Sequence, residues 1–102
     1  MDDPDFSDNP QAHRFELRMN GEVAALSEYN LLKDAVMLTH IEVLPHFEGQ
    51  GLGSKLAKSV LAEVRQRGLH VIPMCTFMAG YIRKHPEYLD LVTPEQRLAC
   101  KL

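Results

Sequence analysis

Three alternating glycines, Gly49, Gly51 and Gly53, stand directly before an apolar pattern of helical spacing and have the clearest potential for chemistry. The apolar run before them, residues 36–43, is typical of a strand and is stopped by Pro45. A strand, a glycine turn and a helix start leave several unpaired N–H groups at a helix N-terminus, where the helix dipole also favours anions. Glycine permits positive φ and lets a phosphate approach the backbone. The turn therefore predicts a site for a phosphorylated cofactor, to which the rest of the chain presents a second substrate.

The glycine motif alone does not identify that cofactor. A P-loop ends in Gly-Lys-Ser/Thr, whereas the order here is Gly53-Ser54-Lys55. The spacing also lacks the G-x-G-x-x-G pattern of a dinucleotide site, and strands without an intervening helix precede it. The elements around the turn must therefore narrow the choice.

The first half of the chain predicts an antiparallel meander without a helix. Residues 14–19 alternate between apolar and charged side chains, as in a half-buried strand. Asn20-Gly21 is a strong type I′ hairpin signal, and it joins this strand to a second one over residues 22–30. The third strand covers residues 35–44.

The second half predicts a parallel crossover. Apolar residues recur every four positions after the glycine turn, which indicates an amphipathic helix of about 15 residues with its stop at Gly68. Residues 69–75 form the next strand, and the β–α–β connection should be right-handed. Thr76 is the expected cap of a second helix over 77–85, and Thr93 of a third. The expected fold class is α/β, with a compact, mixed and mainly antiparallel sheet.

Length and composition describe one globular domain. The chain has 102 residues, of which 45% are hydrophobic and 25% are charged. We expect an acidic disordered tail over residues 1–12 and a single domain over 13–102. No apolar run approaches the roughly 20 residues of a membrane span, and the acidic N-terminus does not resemble a signal peptide. Two cysteines are too few for a disulfide framework, so a reduced, cytoplasmic protein without a membrane partner is expected.

The charge distribution is uneven. The net charge is −3, yet residues 49–84 contain six bases and only one acid, a local balance of +5. These bases either form a solvated helix face or form a rim that attracts a polyanionic ligand. Nucleic acid is not expected as a partner, because no larger basic patch with interleaved aromatic residues is present.

The glycine turn and its surroundings together resemble the acetyl-CoA-binding segment of the GCN5-related N-acetyltransferases. The similar stretches are residues 38–45, 47–56, 71–75 and 81–88, and they are most similar to the small single-domain branch of that superfamily. Gly51 and Gly53 match the family's glycines, whereas Glu48 stands where the family has Arg or Gln. The resemblance covers residues 13–92 and implies a fold that lacks the first two helices of larger relatives.

The resemblance implies that acetyl-CoA is the co-substrate. No metal is expected, because neither the cysteines nor His13, His46, His70 and His85 have the spacing of metal ligands. The pantetheine would pair with the backbone of Ile41 to Val43, in the gap where this strand and the strand over 69–75 diverge. Pro45 ends the first of these strands and Pro73 interrupts pairing on the second, which favours such a gap independently. The pyrophosphate would lie on the backbone N–H groups of the turn; the implied cofactor-binding residues are Ile41, Val43, Gly49, Gln50, Gly51, Leu52, Gly53, Ser54, Lys55, Tyr81 and Lys84.

Three residues are expected to do the chemistry. Cys75 is either a small buried hydrophobe or, as the resemblance implies, a thiol near the acetyl group that protonates the leaving thiolate or carries the acetyl group. His40 is either a core histidine or the general base that takes a proton from the incoming amine. Glu42, on the same face as His40, is either a surface carboxylate or a partner that orients the imidazole or relays the proton through water, and either residue could assist as the base. Tyr81 is a possible ligand whose alternative is core packing.

The expected reaction is acetyl transfer to an amine, and the acceptor stays open. Since Asn20-Gly21 joins the first two strands directly, the acceptor face should be shallow. It could admit a small amine or a protein amine, or a second copy of the chain could cover it, so we expect a monomer or a weak homodimer. The alternative is a non-catalytic acyl-CoA-binding or protein-interaction module on the same scaffold.

Overall fold

A computed structural model describes residues 4–102 of the chain. Five strands form one sheet in the order of the sequence, and three α-helices accompany it. Three short 3-10 turns connect these elements at Pro10–Ala12, Pro45–Phe47 and Pro86–Leu91. The elements are β1 Asp5–Asn9, β2 Arg14–Met19, β3 Glu22–Leu31, β4 Ala35–Val43, α1 Leu52–Gln66, β5 His70–Pro73, α2 Thr76–Lys84 and α3 Pro94–Ala99.

The sheet is antiparallel from β1 to β4 and parallel between β4 and β5. The connection from β4 to β5 is α1, whose apolar stripe packs on one sheet face and forms the core with the strands. The stripe consists of Leu52, Leu56, Ala57, Val60, Leu61 and Val64, all fully or almost fully buried. The predicted α/β fold class, with its mixed and mainly antiparallel sheet, is therefore confirmed.

The prediction of a disordered tail over residues 1–12 is wrong for residues 5–12, and residues 1–3 lie outside the described residues. Residues 5–9 form β1, which pairs with β2. Phe6 stacks on Phe15 with 5.6 Å between ring centroids. The Asp8 carboxylate accepts hydrogen bonds from the Tyr29 hydroxyl and from Arg67, each at 2.7 Å. The acidic composition therefore did not reveal this strand, in which the Asp8 carboxylate is bound by Tyr29 and Arg67.

The local signals for turns and helix ends are mostly confirmed. Asn20 and Gly21 both have positive φ, as a type I′ hairpin requires. Helix α1 has the expected 15 residues, and Gly68 with φ +71° follows its last turn. The Thr93 hydroxyl accepts the Gln96 N–H at 3.3 Å. Thr76 is not a cap, however: it is the first residue of α2, whose cap position is held by Cys75 without a capping side-chain bond.

The sheet face opposite α1 is open around Glu28, His40 and Glu42, whose side chains are exposed, whereas Leu26 beside them is buried. Cross-strand register places Glu28 opposite His40, and Leu26 opposite Glu42, on this face. On the α1 side, one row across the sheet consists of the paired residues Phe15, Ser27 and Ile41. Because a two-residue turn joins β2 to β3, the chain has no helix at this point that could cover the open face.

Nearer to β1, the same sheet face carries a buried carboxylate, that of Glu16 in β2. Glu16 is 1% exposed and accepts hydrogen bonds from Arg14, Arg18 and Asn9 at 2.7 to 3.1 Å. Burial alone raises the pKa of Glu16, but the hydrogen bonds from Asn9, Arg14 and Arg18 more than offset it, so this pKa is lowered. The network ties β1 to β2 through the hydrogen bond from Asn9 to Glu16.

Candidate functional site

The glycine turn has the backbone geometry of an anion site. Gly49 and Gly51 have φ of +87° and +71°, which residues with side chains rarely adopt. Gly51 is the cap residue of α1, and no side chain caps this helix. The first helical N–H to find an acceptor is that of Lys55, which donates to the Gly51 carbonyl at 3.2 Å. The N–H groups of residues 52–54 therefore have no intrahelical acceptor.

Gly53 keeps α1 close to α2. A Cβ at Gly53 would lie 3.1 Å from Cζ of Phe77, closer than most such contacts, and 3.7 Å from a methyl carbon of Val43. The glycine therefore allows the aromatic ring of Phe77 to pack against the first turn of α1. Phe77 is still 43% exposed, which leaves much of its ring available on the surface.

Two adjoining cavities extend from this turn along α2. The first, the turn cavity, has a volume of about 290 Å³, and the second, the helix cavity, has about 270 Å³. They share Ser54 and Phe77. The turn cavity is lined by Val43, Glu48, Gly49, Gly51, Leu52, Gly53, Ser54 and Phe77. The helix cavity is lined by Ser54, Thr76, Phe77, Gly80, Tyr81, Lys84 and His85.

The strands diverge where the sequence predicts a gap. Pairing of β4 with β5 ends at Leu38 and Pro73, and the N–H groups of Met74 and Cys75 then both donate to the Leu38 carbonyl. From residue 40 to 43, β4 pairs with β3 but has no strand partner on the β5 side among residues 4–102. The segment that includes Ile41 and Val43 thus has one free edge.

His40 and Glu42 form a pair on the open sheet face. The distance from His40 Nε2 to Glu42 Oε1 is 3.0 Å, and the two side chains are 51% and 45% exposed. The alternative of a core histidine is therefore wrong. Because Cys75 N–H bonds to Leu38, two residues before His40, the backbone of Cys75 lies beside the same part of β4. The structure thus pairs His40 with Glu42 and places the backbone of Cys75 beside their strand, but the cavity that Cys75 lines includes neither of these two side chains.

Cys75 lines a third cavity, here the thiol cavity, of about 370 Å³. It adjoins the helix cavity through Thr76. Cys75 is half-buried and packs against the core, so both interpretations of its thiol stay open. The thiol cavity is lined by Pro73, Met74, Cys75, Thr76, Ala79, Arg83, Gln96, Ala99 and Cys100.

The basic residues do not form one rim. Arg65 binds Asp90 at 2.6 Å, and Arg67 binds Asp8 and Glu63 at 2.7 and 2.8 Å, so both are engaged within the protein. Lys55 and Lys58 line a separate depression beside Pro4 and Leu17. Lys84 alone of the six lines the helix cavity. The predicted cofactor residues Lys55 and Lys84 therefore face different cavities.

Tyr81 combines packing and cavity lining. Its ring stacks on His85 at 4.2 Å between centroids and contacts the core, while one side faces the helix cavity. Burial, with smaller contributions from Tyr88 and Glu87, raises the pKa of Tyr81, so its hydroxyl stays protonated at neutral pH.

Two cavity residues were missed or discounted in the sequence. Phe77 lines both the turn and the helix cavity, and only its position two residues after Cys75 signalled it. Glu48, which departs from the family pattern, lines the turn cavity and is exposed. Within residues 4–102, no three His, Cys, Asp or Glu residues are grouped to hold a metal ion. None of the described helices has the length and apolarity to cross a membrane.

Comparison with known proteins gives a consistent result. The family model described as GCN5-related N-acetyl-transferase matches residues 14–91. The [ribosomal protein bS18]-alanine N-acetyltransferase of Escherichia coli (strain K12) is 34% identical over 55 residues, which are 54% of this chain. The chain spans only 37% of the length of that relative.

Two solved structures share the fold. The solution structure of a GCN5-like N-acetyltransferase from Staphylococcus aureus has a TM-score of 0.66 at 23% identity, with 87% of each chain covered. The structure of an acetyltransferase from Brucella melitensis in complex with acetyl-CoA has a TM-score of 0.54 at 23% identity and covers 74% of this chain and 54% of that one. At such identities the likeness extends to the fold.

Proposed function

Because the chain belongs to the GCN5-related N-acetyltransferase family, we propose that it transfers an acetyl group from acetyl-CoA to an amine. The observation that carries this proposal is the free helix N-terminus at Gly51, which adjoins the divergence of β4 and β5. The backbone N–H groups of residues 49–54 bind the pyrophosphate, since they combine unpaired donors with the positive end of α1. When bound, acetyl-CoA supplies a thioester carbonyl that an amine can attack.

The remaining cofactor contacts follow the cavities along α2. Tyr81, stacked on His85, offers an aromatic surface, and Lys84 offers a cation for a phosphate at the edge of the same helix cavity. The free edge of Ile41 to Val43 provides backbone groups that bind an amide as an added strand would. These residues fit a long, phosphorylated and amide-containing molecule better than a compact one.

His40, Glu42 and Cys75 carry the chemistry in this proposal. Glu42, 3.0 Å from His40 Nε2, orients the ring, and the other ring nitrogen takes the proton that the amine loses. Cys75 either protonates the departing thiolate or attacks the thioester and holds the acetyl group before the amine does. The open face around His40 admits an amine that is attached to a protein, as the name of the Escherichia coli relative describes for that enzyme.

The first experiment is acetyl-CoA binding. A ligand that binds only the folded state raises the melting temperature, and at a concentration of about 100 times Kd the gain is about 2.7 kcal/mol. Acetyl-CoA should therefore stabilise the protein, and desulfo-CoA should do so as well, since it keeps the phosphates. Absence of any shift at millimolar ligand would overturn the cofactor assignment.

The second experiment separates catalysis from mere binding. His40→Ala should lower the rate of acetyl transfer by about 10²- to 10⁴-fold with acetyl-CoA stabilisation intact. The matched control is His70→Ala, because His70 is also an exposed strand histidine but pairs with Ala35 at the far end of β4. An acetyl group on Cys75, seen by intact mass after incubation with acetyl-CoA alone, would favour the nucleophilic route. Binding without transfer to any amine, peptide or extract component would favour the non-catalytic acyl-CoA-binding module.

A further inference from the structure

The thiol cavity brings together both cysteines of the chain. The sequence contains two cysteines, Cys75 and Cys100, separated by 24 intervening residues, and both line this one cavity. Each is a free, half-buried thiol. The Cys100 Sγ lies 3.7 Å from the carbonyl oxygen of Pro73, two residues before Cys75. From this juxtaposition we propose that Cys75 and Cys100 are a redox pair that closes to a disulfide under oxidation.

Cys100 lies at the C-terminal end of a short surface helix. Helix α3 has six residues and buries none of them. Its first turn is fixed by the Thr93 cap and its last turn by Arg97, which donates to two carbonyl oxygens at 2.9 and 3.0 Å. Cys100 itself contacts the Pro73 carbonyl through its Sγ at 3.7 Å and accepts from Arg83 at 3.4 Å, and Leu102 beyond it packs against the core. Because no residue of α3 is buried, Cys100 can turn toward Cys75 without removing a helical residue from the core.

Of the two cysteines, Cys75 is the one that the backbone of a strand and a helix holds in place. It is the cap residue of α2, and its N–H is bonded to the Leu38 carbonyl at 3.2 Å. Disulfide bonding requires Cα atoms within about 7 Å of each other, so any movement that the bond needs has to come from α3 rather than from β5 or α2.

The chemistry balances with a hydroperoxide as the oxidant. One thiolate attacks a peroxide oxygen, the O–O bond breaks, and a sulfenic acid and water are formed from hydrogen peroxide. The second thiolate then attacks the sulfenic sulfur and expels hydroxide, which takes up a proton and leaves as water. Two sulfur atoms are oxidised, one peroxide is reduced to two waters, and thiol reductants reverse the bond.

The consequence for activity depends on the proposed function. A disulfide consumes the Cys75 thiol and fixes α3 across the thiol cavity, which adjoins the helix cavity at Thr76. Acetyl transfer should then stop while the bond exists and return after reduction. The pair would make the transfer reaction sensitive to peroxide.

The primary test measures mass, so it does not depend on activity. The folded protein is treated with hydrogen peroxide, the remaining thiols are blocked, and the protein is digested without reductant. The expected product has lost two hydrogen atoms and yields one disulfide-linked peptide pair containing Cys75 and Cys100. Oxygen added to Cys75 with Cys100 still free, or a disulfide formed only between two chains, would overturn the proposal.

Cys100→Ser is the matched variant. It should melt like the wild type and keep the basal transfer rate, but peroxide should now add oxygen atoms to Cys75 and inactivate the enzyme irreversibly. Wild-type protein should instead recover with dithiothreitol. Recovery of the variant to the same extent would also overturn the proposal. If untreated wild-type protein transfers no acetyl group, the proposed function fails, whereas the linked peptides still decide whether the pair exists.

Discussion

Substituting Gly51 by alanine tests whether the glycine turn binds the cofactor. Gly51 has φ +71° and ψ 22°, and a Cβ there would meet no atom within 4 Å. The cost of alanine is therefore backbone strain alone, about 1–2 kcal/mol for a left-handed residue. The free variant can relieve this strain by moving residue 51 to negative φ. Binding of the cofactor must then restore the positive φ, so affinity for acetyl-CoA falls by about 5- to 30-fold.

The chain provides a matched control at the other end of the same helix. Gly68 also has φ +71°, and a Cβ there would likewise meet no atom within 4 Å, so Gly68→Ala carries the same strain. Gly68→Ala should lose about 1–2 kcal/mol of unfolding free energy in urea titrations, which is roughly 4–16 °C in melting temperature for a domain of this size, and Gly51→Ala should lose less than this by the strain that its turn escapes. Only Gly51→Ala should bind acetyl-CoA more weakly, as measured by calorimetry at a temperature where both variants are folded.

Two outcomes would refute this reasoning. Equal loss of affinity in both variants would mean that strain weakens binding globally, through stability rather than through the turn. Unchanged affinity in Gly51→Ala, despite the expected loss of stability, would mean that the N–H groups of residues 52–54 do not contact the cofactor.

Two further predictions concern carboxylates. Glu48→Gln should raise affinity for acetyl-CoA by about 2- to 5-fold at low salt, because repulsion between an exposed carboxylate and the pyrophosphate costs about 1 kcal/mol or less. The gain in affinity should shrink as the salt concentration increases. An unchanged or weaker affinity in calorimetry would contradict this prediction. Glu16→Gln should lower the unfolding free energy at pH 7 by about 1–3 kcal/mol. Since the pKa of Glu16 is lowered from 4.5 in the folded protein, its contribution is complete above that value and is lost as pH falls through the folded pKa. Urea titrations from pH 7 to pH 3 should therefore converge for wild type and variant, and parallel curves would count against a charged Glu16.

The fold was predictable where local chemistry decides it. The hairpin at Asn20-Gly21, the 15-residue α1 and the cap at Thr93 each follow from residues that are close together in the chain. The gap between β4 and β5 was predictable as well, because Pro73 removes a ladder donor at the point where the pairing ends.

Long-range partners were not predictable from the same sequence. Residues 5–9 have the composition of a disordered segment, and their order depends on Tyr29 and Arg67, which are 21 and 59 positions away from Asp8. The supposed basic rim failed for a similar reason, since Arg65 and Arg67 are paired with acids that local charge counting could not assign to them. Burial, followed by the hydrogen bond to Asp8, raises the pKa of Tyr29 to about 12, so this hydroxyl remains a donor to Asp8 at neutral pH.

The candidate site likewise has features that the sequence predicts and features that it does not. Backbone functions, such as the N–H groups at Gly51, follow from glycine spacing and are readable from sequence. The i, i+2 spacing of His40 and Glu42 also predicted their shared face, on which they lie 3.0 Å apart. The position of Cys100 in the cavity of Cys75 was not readable, because it depends on the packing of α3.

Openness of the sheet face bears on how an acceptor would be selected. His40 is half-exposed, and its neighbours on the face are Glu42 along the strand and Glu28 across it. An enclosing pocket rejects a wrong substrate because that substrate leaves polar groups of the pocket without hydrogen-bond partners. The side chains around His40 are exposed to solvent, so a wrong substrate would not leave them unpaired. Selection must then come from what the acceptor carries beyond its amine, spread over the surface of β2 to β4. A protein or peptide can supply such contacts, whereas a short free amine cannot, which favours a macromolecular acceptor for the proposed reaction.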